Sequence, residues 1–131
     1  MTRFGIGLAT VRGRSMEPML RDGDRLLFLR GLAPRPGRLA LVRLPRDADG
    51  APRPLAIKRI SGTDPADPTL LWVEADNQRA TGVVDSWTLG HGLARADVQA
   101  VVLFRVPTKP IIGMPSPWPT LRRARERLRR R

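Results

Sequence analysis

The chain has no cysteine, no tyrosine, one histidine and two lysines in 131 residues. Without cysteine there is no disulfide scaffold, no thiolate zinc or iron–sulfur site and no thiol nucleophile, so the fold must hold by packing alone. His91 alone makes a transition-metal centre a poor fit, because such sites are usually built from several imidazoles or thiolates. Long apolar runs are missing too. The longest, Leu26 to Leu29 and Ala100 to Phe104, fall far short of the ~20 residues that cross a bilayer. The mildly apolar Phe4 to Val11 lacks the sustained hydrophobic stretch and small-residue cleavage site of a signal peptide, so it reads as part of the folded domain.

What the chain has in quantity is arginine. Lys and Arg number 24 against 12 Asp and Glu, a net charge of +12, and all but Lys58 and Lys109 of the cations are Arg. Half of that charge sits in residues 122–131, which carry +6, leaving +6 on the first 121 residues. A nucleic-acid surface would be expected to interleave such charge with aromatics, and three Phe and three Trp do not provide that. No specific nucleic-acid partner is expected. Trp72, Trp87 and Trp118 read instead as core or linker-packing residues.

Length and a 41% apolar content predict one small domain with one modest core. Through residue 106, short apolar runs alternate with clusters of Gly, Pro and Asp, the pattern of many short strands. The predicted strands are Ile6 to Arg12, Arg25 to Leu29, Leu39 to Leu44, Leu55 to Ser61, Leu70 to Glu74 and Val98 to Val106. Met16 to Leu20 could form one helical turn with Ser15 as its N-cap and Pro18 in the first turn. Residues 107–120 hold five prolines and read as an extended linker. Residues 121–131 form an Arg-rich tail. It is a solvated end, a contact for anionic lipid or a contact for an acidic partner.

Two segments carry chemistry. The first runs Val11-Arg12-Gly13-Arg14-Ser15-Met16-Glu17-Pro18-Met19-Leu20 and continues through Asp22-Gly23-Asp24; the second is Ile57-Lys58-Arg59-Ile60. A serine hydroxyl is a weak nucleophile until a base takes its proton, and a lysine amine can serve as that base if it is neutral. Bringing a lysine from a pKa of about 10.4 to near 7 disfavours the ammonium by roughly 4 to 5 kcal/mol, which desolvation can supply. Period-2 alternation puts Lys58 on one strand face with Ala56 and Ile60, among apolar neighbours, and turns Arg59 the other way. In isolation, Ser15 would read as a helix cap and Lys58 as a snorkelling strand residue. Together and in this order they read as a nucleophile and its base.

These segments resemble the nucleophile and lysine boxes of the signal peptidase I and LexA-like serine peptidases. Gly13, Ser15, Met16, Pro18, Leu20, Gly23 and Asp24 match the first box, with Met19 in place of its usual Thr; Lys58-Arg59 matches the second, 43 residues after Ser15. A third, more degenerate match covers Ala75-Asp76-Asn77 and Asp85-Ser86, where Ala75 replaces a Gly, Val83 a Ser and Trp87 an Arg. The resemblance implies a mainly β fold of coiled antiparallel sheets over residues 1–106. It makes Ser15 the nucleophile, Lys58 the general base and the Ser15 backbone N–H an oxyanion donor. Gly13, Met16, Pro18, Asp24, Arg59, Asp76, Asn77, Asp85 and Ser86 become supporting residues. Gly13 leaves the second oxyanion donor unassigned. Val83 removes a hydroxyl that orients the lysine in many members, a role open to Thr81 or Ser86.

Among such peptidases the chain looks most like the small maturation proteases of nickel-type superoxide dismutase, which implies removal of an N-terminal propeptide. The expected partner is a protein or peptide substrate, such as a nickel superoxide dismutase precursor, with no cofactor and no metal. Processing of another protein in the manner of a signal peptidase is the alternative enzyme; a peptide-binding adaptor of the same fold is the non-enzymatic one. Self-cleavage of a repressor is disfavoured, since 14 residues before Ser15 cannot hold a DNA-binding domain. The expected location is the cytoplasm, with peripheral membrane contact through the tail as a variant. Three weaker signals are set aside. His91, between two glycines, reads as a turn residue. Asp47-x-Asp49-Gly50 has its glycine at the wrong place for a calcium loop. Asp76 and Asp85 read as supports, not as an acid pair.

Overall fold

The computed structural model describes residues 5–107. The linker and tail assigned to 107–120 and 121–131 therefore lie, apart from Pro107, outside the described residues, as do Trp118 and Lys109. Seven strands form one antiparallel sheet: β1 (Gly5–Thr10), β2 (Arg25–Arg30), β3 (Leu39–Val42), β4 (Ala56–Thr63), β5 (Leu70–Glu74), β6 (Leu93–Ala94) and β7 (Val98–Val106). Their order across the sheet is β1-β2-β7-β3-β4-β5-β6, so β1 and β6 are its edges. The chain is mainly β, as the short apolar runs predict. No helix among the described residues is long and apolar enough to cross a membrane.

All six predicted strands are present, with ends shifted by a few residues, because alternating burial is set locally. β2 alternates exposed, buried and half-buried positions, and β5 repeats a half-buried and buried pattern. Two elements escape the pattern. β6 is only two residues long, too short for any periodicity. Helix α1 (Ser86–Leu89) is a single turn held by its cap: the Asp85 side chain accepts from the Trp87 and Thr88 amides, and Thr88 Oγ1 accepts from the Asp85 amide. The signal for it was an Asp-x-x-Thr capping box closed by Gly90.

The helical turn expected after Ser15 is corrected. Residues 15–19 form turns, not a helix, and Ser15 caps nothing; the helix-like bonding is confined to the Leu20 amide donating to the Met16 carbonyl at 2.9 Å. Pro18 disfavours the helical region for Glu17 before it and brings no N–H of its own, and the Glu17–Pro18 peptide is cis. Trp87 is corrected as well. It is 64% exposed, its ring set edge-on to Trp72 at 5.2 Å and its Nε1 donating to Glu74.

The core lies in three patches on the sheet. One gathers Val42, Ile60, Leu71 and Val73 under β3 to β6; a second gathers Val11, Met16, Leu20 and Leu26 with Ala75 and Val102. A third, around Phe28, Leu41 and Ala100, shares Ile57 with the second. The second patch fastens the Ser15 loop, because Met16, beside Ser15, is 1% exposed within it. Burying a methionine contributes about 1.5 to 3 kcal/mol.

Gly92 shows how closely β6 docks on β5. Its amide donates to Asp64 Oδ2 at 2.8 Å, and a Cβ there would lie 2.6 Å from the Leu71 carbonyl oxygen. Gly92→Ala is therefore expected to cost about 1 to 3 kcal/mol, read as a lower urea midpoint, because backbone has to move. An unchanged midpoint would mean that this edge of the sheet is loose.

Candidate active site

The Ser15 loop begins where β1 ends. Gly13 adopts φ +82°, a conformation that side chains with a Cβ rarely take, and its amide donates to Asp22 Oδ1 at 2.8 Å. The Asp22-Gly23-Asp24 turn is tied back to the same loop: the Gly23 amide donates to the Val11 carbonyl, the Val11 amide to the Asp24 carbonyl, and Asp24 Oδ2 accepts from the Arg21 amide. Ser15 sits half-buried at the crest, with Met16 as the anchor beneath it. Asp24 also faces Arg105, at 3.6 Å.

The degenerate third box supports this loop from the other side. The Asn77 amide donates to the Ser15 carbonyl at 2.8 Å, and Asn77 Nδ2 to the Arg14 carbonyl at 3.0 Å. The Asp76 amide lies 3.5 Å from Met16 Sδ. Asp76 itself is gripped by the Arg59 fork, with Nε and Nη2 each 2.8 Å from a carboxylate oxygen, while Arg59 Nη1 donates to the Gly37 carbonyl. Arg59 thus leaves β4 on the face opposite Lys58, as the alternation predicts.

Asp85 and Ser86 act on β5. Asp85 is fully buried and accepts from the Ala75 amide at 3.0 Å and from Gln78 Nε2 at 2.8 Å, besides capping α1. The Ser86 hydroxyl accepts from the Val73 amide at 2.9 Å, so it is committed to that strand. Asp76 and Asp85 have separate partners and do not form an acid pair. His91 sits between α1 and β6 with its ring on the Gly92 carbonyl, away from Ser15. The Asp47 carboxylate is occupied by an Asx turn, accepting from the Asp49 and Ala51 amides.

Lys58 lies in the middle of the sheet, paired across β3 with the fully buried Ala40 and flanked on its own face by the equally buried Ile60. It is 4% exposed. Burial pushes its pKa below the ordinary 10.5, and the negative charge of Asp85 partly opposes that shift. Burial raises the Asp85 pKa in turn, but hydrogen bonds from Ala75, Gln78 and Thr88, with the charge of Lys58, outweigh it and hold the carboxyl below its usual range. Lys58 forms no salt bridge among the described residues.

Ser15 and Lys58 line the same cavity of about 660 Å³. Its floor and walls come from β1 and the Ser15 loop that follows it, from Phe28, whose ring lies across Gly7, from residues 53–58 and from residues 81–84. Thr81 lines it, so of the two hydroxyls that could orient Lys58, Thr81 shares its cavity while Ser86 is bonded to β5. No family model, no curated protein and no solved structure matches the chain.

Sequence reasoning missed Asp22 and Gln78, which hold Gly13 and Asp85. Their partners are fixed by turns whose geometry no pattern encodes; Gln78 stands alone, and Asp22 reads as ordinary turn chemistry. It also missed the cavity walls, since Leu8, Phe28 and Arg53 become neighbours only when β1, β2 and the approach to β4 converge.

Proposed function

We propose that the chain is a serine endopeptidase of the signal peptidase I and LexA-like type, with Ser15 as nucleophile and Lys58 as general base. The observation that carries this reading is that the two residues line one cavity, with the lysine buried and its pKa depressed. The finer fold assignment, a coiled sheet of that peptidase type, is part of the same proposal. It draws support from Ile57 of the Lys58 strand packing on the patch that holds Met16, and from the contacts of Asp76 and Asn77 with the Ser15 loop.

In the proposed reaction the neutral Lys58 amine takes the Ser15 proton as Oγ attacks the scissile carbonyl, and returns it to the leaving amine. The backbone N–H of Ser15 donates to the oxyanion. Lys58 then activates the water that releases the acyl group. An extended peptide would lie along β1, which among the described residues has β2 as its one sheet neighbour and so presents an edge. Main-chain bonds along that edge would supply affinity, and the apolar walls would sort side chains.

The proposed substrate is a protein precursor that loses an N-terminal propeptide, and the first one to test is that of a nickel-type superoxide dismutase. Incubation with this precursor is expected to produce one new N-terminus by mass spectrometry, and Ser15→Ala to produce none. Equal cleavage by Ser15→Ala would overturn the mechanism; an intact precursor beside a cleaved unrelated propeptide would overturn the substrate.

A further inference from the structure

The charge around the Ser15 cavity differs from that around its neighbour. Arg12, Arg14, Arg30 and Arg53 line it together with Lys58, and no Asp or Glu does. A second cavity, of about 410 Å³, is lined by Arg38, Arg59 and Arg105, and two of these are neutralised, by Asp76 and Asp24. Those are the ion pairs found among the described residues, and among these the arginines of the Ser15 cavity have no acidic partner.

Two of these charges are held in place. Arg53 Nη1 donates to the Pro45 carbonyl and, at 3.1 Å, to the Arg46 carbonyl, which positions the guanidinium without cancelling its charge. The Arg30 guanidinium lies over the Phe28 ring, 5.5 Å from its centre, and that ring is itself a cavity wall. Both line the cavity that holds Ser15. Arg30 pairs with Gly5, the residue of β1 farthest from the Ser15 loop, about 17 Å from Thr10 at ~3.4 Å per residue. Arg53 precedes Lys58 by five residues, a reach of at most about 18 Å.

Resting on the peptidase reading of this cavity, we infer that its substrate is an extended peptide with apolar side chains near the scissile bond and a carboxylate, Asp or Glu, about four to six residues away, received by Arg53 and Arg30. A chain lying along β1 covers about that many residues between the Ser15 end and Gly5, the partner of Arg30. A charge-assisted bond to a fixed guanidinium discriminates well, because the guanidinium fork matches a carboxylate. A nucleic-acid strand fits the site less well, since Phe28 is the one aromatic residue in the lining and offers no run of stacking surfaces.

The test uses the full chain and a set of fluorogenic alanine- and valine-rich peptides of about a dozen residues. They differ only in carrying Glu, Gln or Lys about five residues from the central bond, on one side or the other. The Glu peptide is expected to exceed the Gln peptide in kcat/KM about tenfold on one of the two sides, the Lys peptide to fall below both, and the advantage to shrink at high salt. Arg53→Gln and Arg30→Gln should each reduce that ratio towards one, while Arg38→Gln in the other cavity keeps it. Binding to Ser15→Ala, followed by anisotropy, separates the two readings. If Glu peptides bind preferentially but nothing is cleaved by the wild type, the peptidase reading falls and this inference stands. Cleavage with equal rates for Glu, Gln and Lys overturns the inference alone, as does a thymidine oligonucleotide that displaces the Glu peptide.

Discussion

Lys58→Arg is expected to lower kcat/KM for peptide hydrolysis by about a thousandfold or more, the upper range of what a positioned general base contributes. Arginine keeps the charge beside Asp85 but does not release its proton in proteins, so Ser15 Oγ would lose its base. The slot is tight, with Lys58 4% exposed, and the larger guanidinium adds an overpacking cost of about 1 to 3 kcal/mol. Lys58→Met separates the effects: it has similar length, no charge and no base. It should be as inactive as the arginine variant while melting no lower than the wild type at neutral pH, since no ammonium is then desolvated. Hydrolysis retained by both variants would exclude Lys58 as the base.

The same side chain sets the sign of the pH dependence. The proposed mechanism requires the neutral amine, so kcat/KM should rise with pH through the depressed pKa of Lys58 and be lost below it. Stability moves the same way. Between that depressed value and the ordinary 10.5, the unfolded chain holds a proton that the folded chain has released, so the wild type gains stability as pH rises. Lys58→Met should lack that gain, which paired thermal melts across the window would show.

Asp85→Ala is expected to be the most destabilising single change in the supporting shell, by about 3 to 5 kcal/mol, as when one member of a buried charged network is removed. It leaves the buried Ala75 amide without its acceptor, takes one of the two acceptors of Gln78 Nε2 and removes the α1 cap in one step. Against a total of roughly 5 to 15 kcal/mol, that is a large fraction, and the melting temperature should drop by more than about 10 °C. Asp85→Asn tests the electrostatic part. It can still cap α1, but it sets an NH2 against the Ala75 amide and removes the charge that raises the Lys58 pKa. Any activity it retains should therefore have its acid limb at lower pH than the wild type. An unmoved limb would mean that Asp85 is a strut and no more.

The motif residues differ in how much of their role a pattern could convey. Lys58 and Ile60 share a buried face, and Arg59 the opposite one, because strand alternation is a property of the backbone; that much was legible in Ala56 to Ile60. The Asp76 and Asn77 contacts were legible only through resemblance, since nothing local to Ala75-Asp76-Asn77 says that its partners are Arg59, Arg14 and Ser15. Trp87 misled because composition treats an indole as core, whereas here it covers Trp72 from the solvent side.

By itself the sequence determined that the described domain is built of short strands, that it cannot use a thiolate or disulfide, and that Ser15 and Lys58 are its candidate reactive pair, because these depend on residue identity and on periods of a few residues. The tertiary structure decided the rest. It brought β1 and the approach to β4 together so that serine and lysine line one cavity, buried the amine deeply enough to depress its pKa, and lined that cavity with arginines that have no acidic partner among the described residues. Those outcomes depend on strand order across the sheet, where β1 lies four places from β4. Long-range pairing is set by the packing of the whole core, which no local window of residues contains.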